Sequence, residues 1–293
     1  MRIKVKEEVW NIKRILDWSS EYLLKAGSPT ARLDAELLLS ETLGLKRIDL
    51  YVNYDRPLAE EEKDSFRDVL KRRANLEPIA YILGEKEFFG HVFKVDSSTL
   101  IPRPDTEHLV SWVLEHVKDN PAKILDIGTG SGCIAITLAK ELGEVTVEAW
   151  DVSPGALKIA GNNAGVLGVI DKVSFYEKDA LSLDSWTSSS EKFDVIVSNP
   201  PYISSMEKNV MAPETLAFEP ESALFAEREG LKFYECFAVN AQNLLNKGCP
   251  IVLEIGYNQK EKVSSIFASA GWENIEIIND YSGHPRVLVA FSS

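Results

Sequence analysis

The sequence predicts an α/β domain built on a mostly parallel sheet, preceded by a small helical bundle and joined to it through a β-hairpin and a proline segment. Three observations predict it. From Lys123 onward, short apolar runs of strand length alternate with helical stretches. Before about residue 85 the apolar residues recur at helical spacing instead. Between the two, the period falls towards two and prolines accumulate. Strand–helix alternation places helices on both faces of a parallel sheet, whereas short loops between amphipathic helices make a bundle.

In chain order, Val9, Ile12, Leu16 and Leu23 form a helical stripe, widened by Ile15, Trp18 and Tyr22 and stopped at Gly27. Ser28-Pro29 reads as a new N-cap followed by proline at the first helical position, leading into Leu33, Leu37, Leu38 and Leu43 before Gly44. A third helix is predicted from about Ala59 to Ala74 on an apolar face of Phe66, Val69 and Leu70. Glu85 to Val95 alternates well enough for a hairpin around Gly90-His91. The prolines in Leu100-Ile101-Pro102-Arg103-Pro104 exclude a helix, and Asp105-Thr106 reads as the cap of a helix carrying Leu109, Val110, Val113 and Leu114. These features divide the chain at 1–84, 85–104 and 105–293. In the last part the predicted strands are Lys123–Asp126, Val145–Trp150, Lys172–Tyr176, Phe193–Ser198 and Ile251–Ile255. Asn274–Ile278 and Arg286–Phe291, joined without a helix, form an antiparallel final pair. Ser188-Ser189-Ser190 reads as a short polar loop, and Gly161 and Gly165 weaken the helix that follows Asp151.

Composition narrows the function. The balance of 45% hydrophobic and 26% charged residues is that of a folded soluble protein. No stretch of 18 apolar residues occurs and the N-terminus lacks a secretory h-region, which points to a cytoplasmic protein without a membrane partner. Cys133, Cys236 and Cys249 are too widely spaced for a zinc cluster, so no metal is expected, and they read as small buried residues in a reducing compartment. The formal net charge of −13 argues against a stable nucleic-acid complex, whose affinity rests on basic surface. Lys71, Arg72 and Arg73, beside Glu60, Glu61, Glu62 and Asp64, read as a mixed solvated face.

Two constellations carry chemistry. In Asp126-Ile127-Gly128-Thr129-Gly130-Ser131-Gly132, a strand end passes through a glycine turn into a helix, and glycines let a ligand approach the backbone closely. Asp151, at the next strand end, supplies a carboxylate able to accept both ribose hydroxyls of a nucleoside. A nicotinamide-binding protein would offer a similar pair, although the alternating glycines depart from the dinucleotide spacing. Asp179, after the third strand, either meets an adenine amino group or is a solvated loop residue.

The second constellation, Asn199-Pro200-Pro201-Tyr202, emerges from the carboxyl end of a strand, where open α/β sheets bind ligands. Methylating an amide nitrogen needs no strong base before attack; it needs two acceptors to hold two N–H donors. The Asn199 side-chain oxygen and the Pro200 carbonyl are suitable, because paired prolines hold that carbonyl rigidly. Pinning both hydrogens aims the nitrogen at the methyl donor and favours its pyramidalisation. The Tyr202 ring is suited to pack on a flat substrate. Read this way, Asn199, Pro200 and Tyr202 are catalytic, and with Pro201 they bind substrate. A planar amide or amine nitrogen is the acceptor; the motif alone does not choose between a base and a side chain.

Asn199-Pro200-Pro201-Tyr202 after a glycine turn resembles the amino-group methyltransferases of the seven-strand class, whose substrates include adenine, guanine and protein glutamine. Further segments make the chain similar to one branch, the peptide chain release factor N5-glutamine methyltransferases. They are Glu77 to Gly84, Glu87-Phe88-Phe89-Gly90, Leu100 to Glu107, Phe218 to Leu224, Leu253-Glu254-Ile255-Gly256 and Asp280 to Arg286. The resemblance spans almost the whole chain. It implies a seven-strand Rossmann-like S-adenosylmethionine methyltransferase domain behind an N-terminal helical substrate-recognition domain. It also implies cofactor contacts from Gly128, Thr129, Gly130, Ser131, Gly132, Asp151, Ala180 and Asn199, to which the reading of Asp179 at the adenine is added, and as substrate the glutamine of the Gly-Gly-Gln loop of class I release factors. Arg103 is either near the site or in a structural salt bridge, and Glu219-Pro220 either shapes the substrate loop or ends a helix. A monomer that modifies a release factor is the expectation; a nucleic-acid amino methyltransferase acting on adenine N6 or guanine N2 is the alternative.

Overall fold

A computed structural model describes residues 9–117, 122–187 and 192–293. The readings of the first eight residues and of Ser188-Ser189-Ser190 lie outside the described residues. The chain forms two compact units. One comprises the chain up to Gly84 together with Ala212–Phe218; the other comprises Glu85–Met211 with Glu219–Ser293.

The first unit is helical: α1 Ile12–Lys25, α2 Ala31–Leu43, α3 Arg47–Val52, α4 Glu60–Ala74 and α5 Ile79–Leu83. Ile12, Leu16, Leu23, Leu38, Phe66 and Leu70 bury almost completely in its core. The stripe is narrower than the spacing suggests. Val9 precedes the helix and is exposed, while Trp18 and Tyr22 stack on each other at 5.2 Å with their faces partly in solvent. Asn11 caps α1 by accepting the Arg14 N–H. Ser28 does not cap α2, whose N-cap is Thr30. Its hydroxyl donates instead to Asp34 Oδ2 at 2.6 Å, because that buried carboxylate demands donors. Arg73 supplies the main one, its Nε 2.6 Å from Asp34 Oδ2 and its Nη1 2.6 Å from Glu214 Oε2. Arg73 is therefore no part of a solvated face; at 3% exposure it is a buried ion-pair partner.

The second unit opens with a hairpin, β1 Glu85–Phe88 and β2 His91–Lys94. The turn is Phe89-Gly90, both with positive φ, so His91 already belongs to the returning strand. Residues Pro104–Thr106 form a 3₁₀ turn that runs into α6, Glu107–His116. The sheet strands are β3 Ala122–Ile127, β4 Val145–Asp151, β5 Val173–Glu177, β6 Val195–Ser198, β7 Pro250–Glu254, β8 Glu273–Asn279 and β9 Pro285–Phe291. Their order is β5-β4-β3-β6-β7-β9-β8, parallel throughout except that β9 runs antiparallel to both its neighbours. Helices α6, α7 (Cys133–Glu141) and α8 (Pro154–Val166) cover one face with Leu109, Val113, Ile136 and Ala164. Trp186, Tyr234, Phe237 and Phe267 cover the other. Buried throughout, β6 carries the apolar run Val195-Ile196-Val197.

Two local expectations change. Helix α8 runs through both Gly161 and Gly165. It is held by packing, with Ala156, Ala160 and Ala164 buried and Asn163 bonding to backbone on either side. The three cysteines are free but only half-buried. Cys236 packs at the margin of the core and points its Sγ at the Ala180 carbonyl, 3.1 Å away.

Candidate active site

Strand order reverses between β3 and β6, since β4 lies on one side of β3 and β6 on the other. At such a switch point the loops leaving adjacent strands diverge and leave a crevice at their carboxyl ends. Here that crevice is a cavity with about 1020 Å³ of unfilled space, its open mouth included.

The glycine turn forms one wall. Gly128 and Thr129 donate their N–H groups to the Trp150 carbonyl at 2.8 and 2.9 Å, tying the turn to β4. Gly130 has φ +57, a conformation that side chains resist, and its N–H reaches Asp151 Oδ2 at 2.8 Å. Asp151 Oδ1 accepts the Ser153 N–H at 2.9 Å. A carboxylate offers about four acceptor positions, so two remain for ligand hydroxyls. Burial raises the Asp151 pKa, opposed by these two N–H groups. Asp126 is fully enclosed beneath the turn; burial pushes its carboxyl up to about 7 against the hydrogen bond from Thr129 at 2.6 Å. Asn163, which sequence reasoning passed over, braces the turn from behind by donating to the Ser131 carbonyl while pairing with both backbone groups of Lys94.

The remaining predicted residues divide. Thr129, Ser131, Asp179, Ala180, Pro200 and Pro201 line the cavity, as do Gly128, Gly130, Asp151 and Asn199. Asp179 is exposed and spends Oδ1 on the Leu181 N–H. Gly132 is set back from the cavity, where an added Cβ would meet Ile136 and Ala160. Tyr202 is half-buried and is not among the lining residues; its hydroxyl donates to Glu254 Oε1 at 3.1 Å. Arg103 both lines the cavity and pairs with the buried Glu219 at 2.5 Å. Glu219 also accepts the Ile101 N–H, so its carboxylate ties the proline segment to the far rim.

Thr106 and Glu254 were not foreseen as site residues. Thr106 holds the N-cap position of α6 but makes no side-chain cap bond. Its hydroxyl donates to Glu254 Oε2 at 2.6 Å and accepts from Asn199 Nδ2 at 3.1 Å. Burial raises the Glu254 pKa, opposed by the Thr106 hydrogen bond and the Arg286 charge. Burial, then the nearby Glu254, raises the Tyr202 phenol. The available signal was a glutamate ending an otherwise apolar strand, which in a sheet buried on both faces requires partners.

A reversed-order sheet with an antiparallel final strand, and a carboxylate and glycine turn facing an Asn-Pro-Pro-Tyr element across one cavity, defines an α/β methyltransferase. The methyltransferase small domain family matches residues 106–228, and the PrmC N-terminal domain family matches residues 14–84. The chain is 41% identical over 283 residues to a release factor glutamine methyltransferase of Geobacter sulfurreducens, covering 97% of each. It is 38% identical to that of Chlorobaculum tepidum, covering 97% of this chain and 98% of the other. The chain belongs to the release factor glutamine methyltransferase family. It is also 40% identical to a bifunctional methyltransferase of Rickettsia felis, covering 96% of this chain and 58% of that longer protein. Among solved structures, a methyltransferase from Pyrococcus furiosus aligns with TM-score 0.52 at 18% identity, covering 71% of this chain and 92% of the other. The hMettl16 catalytic domain in complex with MAT2A 3′UTR hairpin 6 aligns with TM-score 0.57 at 18% identity, covering 77% and 82%. At such identities the likeness is one of fold.

Proposed function

We propose that this protein transfers a methyl group from S-adenosylmethionine to the side-chain amide nitrogen of the glutamine in the Gly-Gly-Gln loop of class I peptide chain release factors. The observation that carries the reading is the side chain of Asn199. Its Nδ2 is engaged by Thr106 Oγ1, so its oxygen is the group left to accept from a substrate N–H. The residues present suit the cofactor: the Asp151 carboxylate has acceptor capacity for ribose hydroxyls, and the Gly128–Gly132 turn brings backbone close to the cavity. Asp179 and Ala180 would border the base. When bound, S-adenosylmethionine supplies the methyl group as an electrophile on a positively charged sulfur.

The chain's own residues then act on the nitrogen. Asn199 Oδ1 and the Pro200 carbonyl accept its two hydrogens, which turns its lone pair towards the donor and disfavours the flat amide. Pro200 and Pro201 keep that carbonyl still, and Tyr202, anchored through its hydroxyl to Glu254, holds the end of the motif. The nitrogen gains a carbon and, now cationic and strongly acidic, gives its extra proton to water, so no buried base is required.

The N-terminal unit is proposed to recognise the release factor, with residues 85–104 as linker and 105–293 as catalytic domain. No helix among the described residues is long and apolar enough to cross a membrane. A cytoplasmic monomer, without stable nucleic acid, is the accompanying proposal. Its support is the net charge of −13 and the three unpaired cysteines. The test is transfer of labelled methyl to purified release factor, to the same factor carrying Gln→Ala in its Gly-Gly-Gln loop, and to ribosomal RNA. Label confined to the wild-type factor is expected. Equal label on both factors contradicts the glutamine, and label on the RNA alone favours a base.

A further inference from the structure

An asparagine amide is ambiguous: rotated by half a turn it presents donors where it presented an acceptor, and the two orientations differ little in shape. A site that must accept N–H groups from a substrate therefore needs something to choose the orientation. Thr106 and Glu254 have the chemistry to choose it. A hydroxyl carries one hydrogen. Thr106 directs that hydrogen to Glu254 Oε2 at 2.6 Å, so towards Asn199 it can only accept. Asn199 must then turn Nδ2 to Thr106, at 3.1 Å, and its oxygen away. Thr106 is 2% exposed and Glu254 1%, which leaves water little chance of taking either place. The second carboxylate oxygen receives the Tyr202 hydroxyl at 3.1 Å. One carboxylate thus holds both ends of Asn199–Tyr202, one directly and one through Thr106.

We infer that Thr106 and Glu254 are positioning residues that set the polarity of the Asn199 amide, so that the cavity meets an acceptor rather than a donor. This rests on the reading of Asn199 as the group that binds the substrate nitrogen. Thr106 borders the cavity and Glu254 lies behind it; the role assigned to both is exerted through the motif. The Arg286 guanidinium lies near enough to favour the charged form of Glu254. Arg286 is itself held by Asp105 at 3.1 Å and Asp280 at 3.3 Å. Asp105 sits beside Thr106, so the arginine braces both partners of the relay.

The test compares Thr106→Val, which keeps the shape and removes the hydroxyl, with Thr106→Ser, which keeps the hydroxyl. Methyl transfer to the release factor and thermal shift with S-adenosylhomocysteine are read in parallel. The inference predicts that Thr106→Val lowers kcat by about 10²-fold, the scale of a misdirected reacting group. KM and the S-adenosylhomocysteine shift should stay near wild type, and Thr106→Ser should restore turnover to within a few-fold. In an Asn199→Ala background Thr106→Val should cost little more, because the two act as one unit. Wild-type kcat in Thr106→Val, with Asn199→Ala inactive, overturns the relay and leaves the site reading standing. Wild-type turnover in Asn199→Ala overturns the site reading itself. If Thr106→Val fails to fold, Thr106→Ala replaces it, which also removes the hydroxyl. A folded Thr106→Ala enzyme that turns over like wild type overturns the relay.

Discussion

A methyl group placed on Gly230 would stand 2.0 Å from the Tyr202 carbonyl oxygen and 2.8 Å from Gln259 Nε2. Ordinary contact begins near 3.4 Å, so Tyr202 backbone has to retreat by roughly 1 Å or more. That carbonyl is also the acceptor for Gln259 Nε2 at 2.9 Å, and Gln259 is in turn fastened to the Gly256 N–H. Three costs combine in Gly230→Ala. A side chain at φ +82 costs about 1–2 kcal/mol, overpacking against backbone about 1–3 kcal/mol, and a weakened hydrogen bond about 1 kcal/mol. The expected destabilisation is about 3–6 kcal/mol. Because the displaced carbonyl closes the Asn-Pro-Pro-Tyr element, kcat should also fall by about 10²-fold at temperatures where the variant is folded. Gly271→Ala is the control: its φ is +84 and nothing lies within 4 Å of the added methyl, so it should cost only about 1–2 kcal/mol and leave kcat alone. Thermal melting with methyl-transfer assays on both variants separates strain from collision. Equal melting temperatures and equal kcat for the two would refute the close approach at Tyr202.

Two further outcomes follow from buried charges. Arg73→Met leaves Asp34 enclosed with only hydroxyl partners and should destabilise the protein by about 3–5 kcal/mol, whereas pairing it with Asp34→Leu should recover much of the loss. Urea unfolding measures both, and a single variant as stable as wild type contradicts the burial. Asp126 keeps its proton up to about 7 when folded, against 3.8 ordinarily. The folded state thus holds the extra proton between those values, and stability falls as pH rises through them, by at most about 1.4 kcal/mol per pH unit. With no cofactor added, Asp126→Asn should gain on wild type in urea midpoint from pH 5 to pH 7.5; parallel profiles would contradict this.

The strand–helix alternation was legible because strands covered on both faces give apolar runs such as Val195–Val197, and the glycine turn because its conformation admits few residues. Features governed by distant partners were not legible. Ser28 and Thr106 were both read by the local rule that a hydroxyl or acid before a helix caps it. Each instead serves a carboxylate, Thr106 one that is 148 residues away. Nothing near Arg73 in the sequence indicates Glu214, 141 residues on, and so nothing indicated that Ala212–Phe218 belongs with the helical unit. The hairpin turn was placed one residue late, since Phe89 takes a left-handed conformation that favours glycine. At the site, the motifs supplied residues that line the cavity, such as Asp151 and Asn199. They missed those that orient them, because orientation depends on which hydrogen goes to which oxygen.

The most direct measurement of the account is fragmentation mass spectrometry of the release-factor peptide containing Gly-Gly-Gln after incubation with the enzyme and S-adenosylmethionine. The account predicts one added methyl on the glutamine side chain with wild-type enzyme and none with Asn199→Ala. A methyl on any other residue, or on that glutamine with undiminished yield from Asn199→Ala, would contradict it.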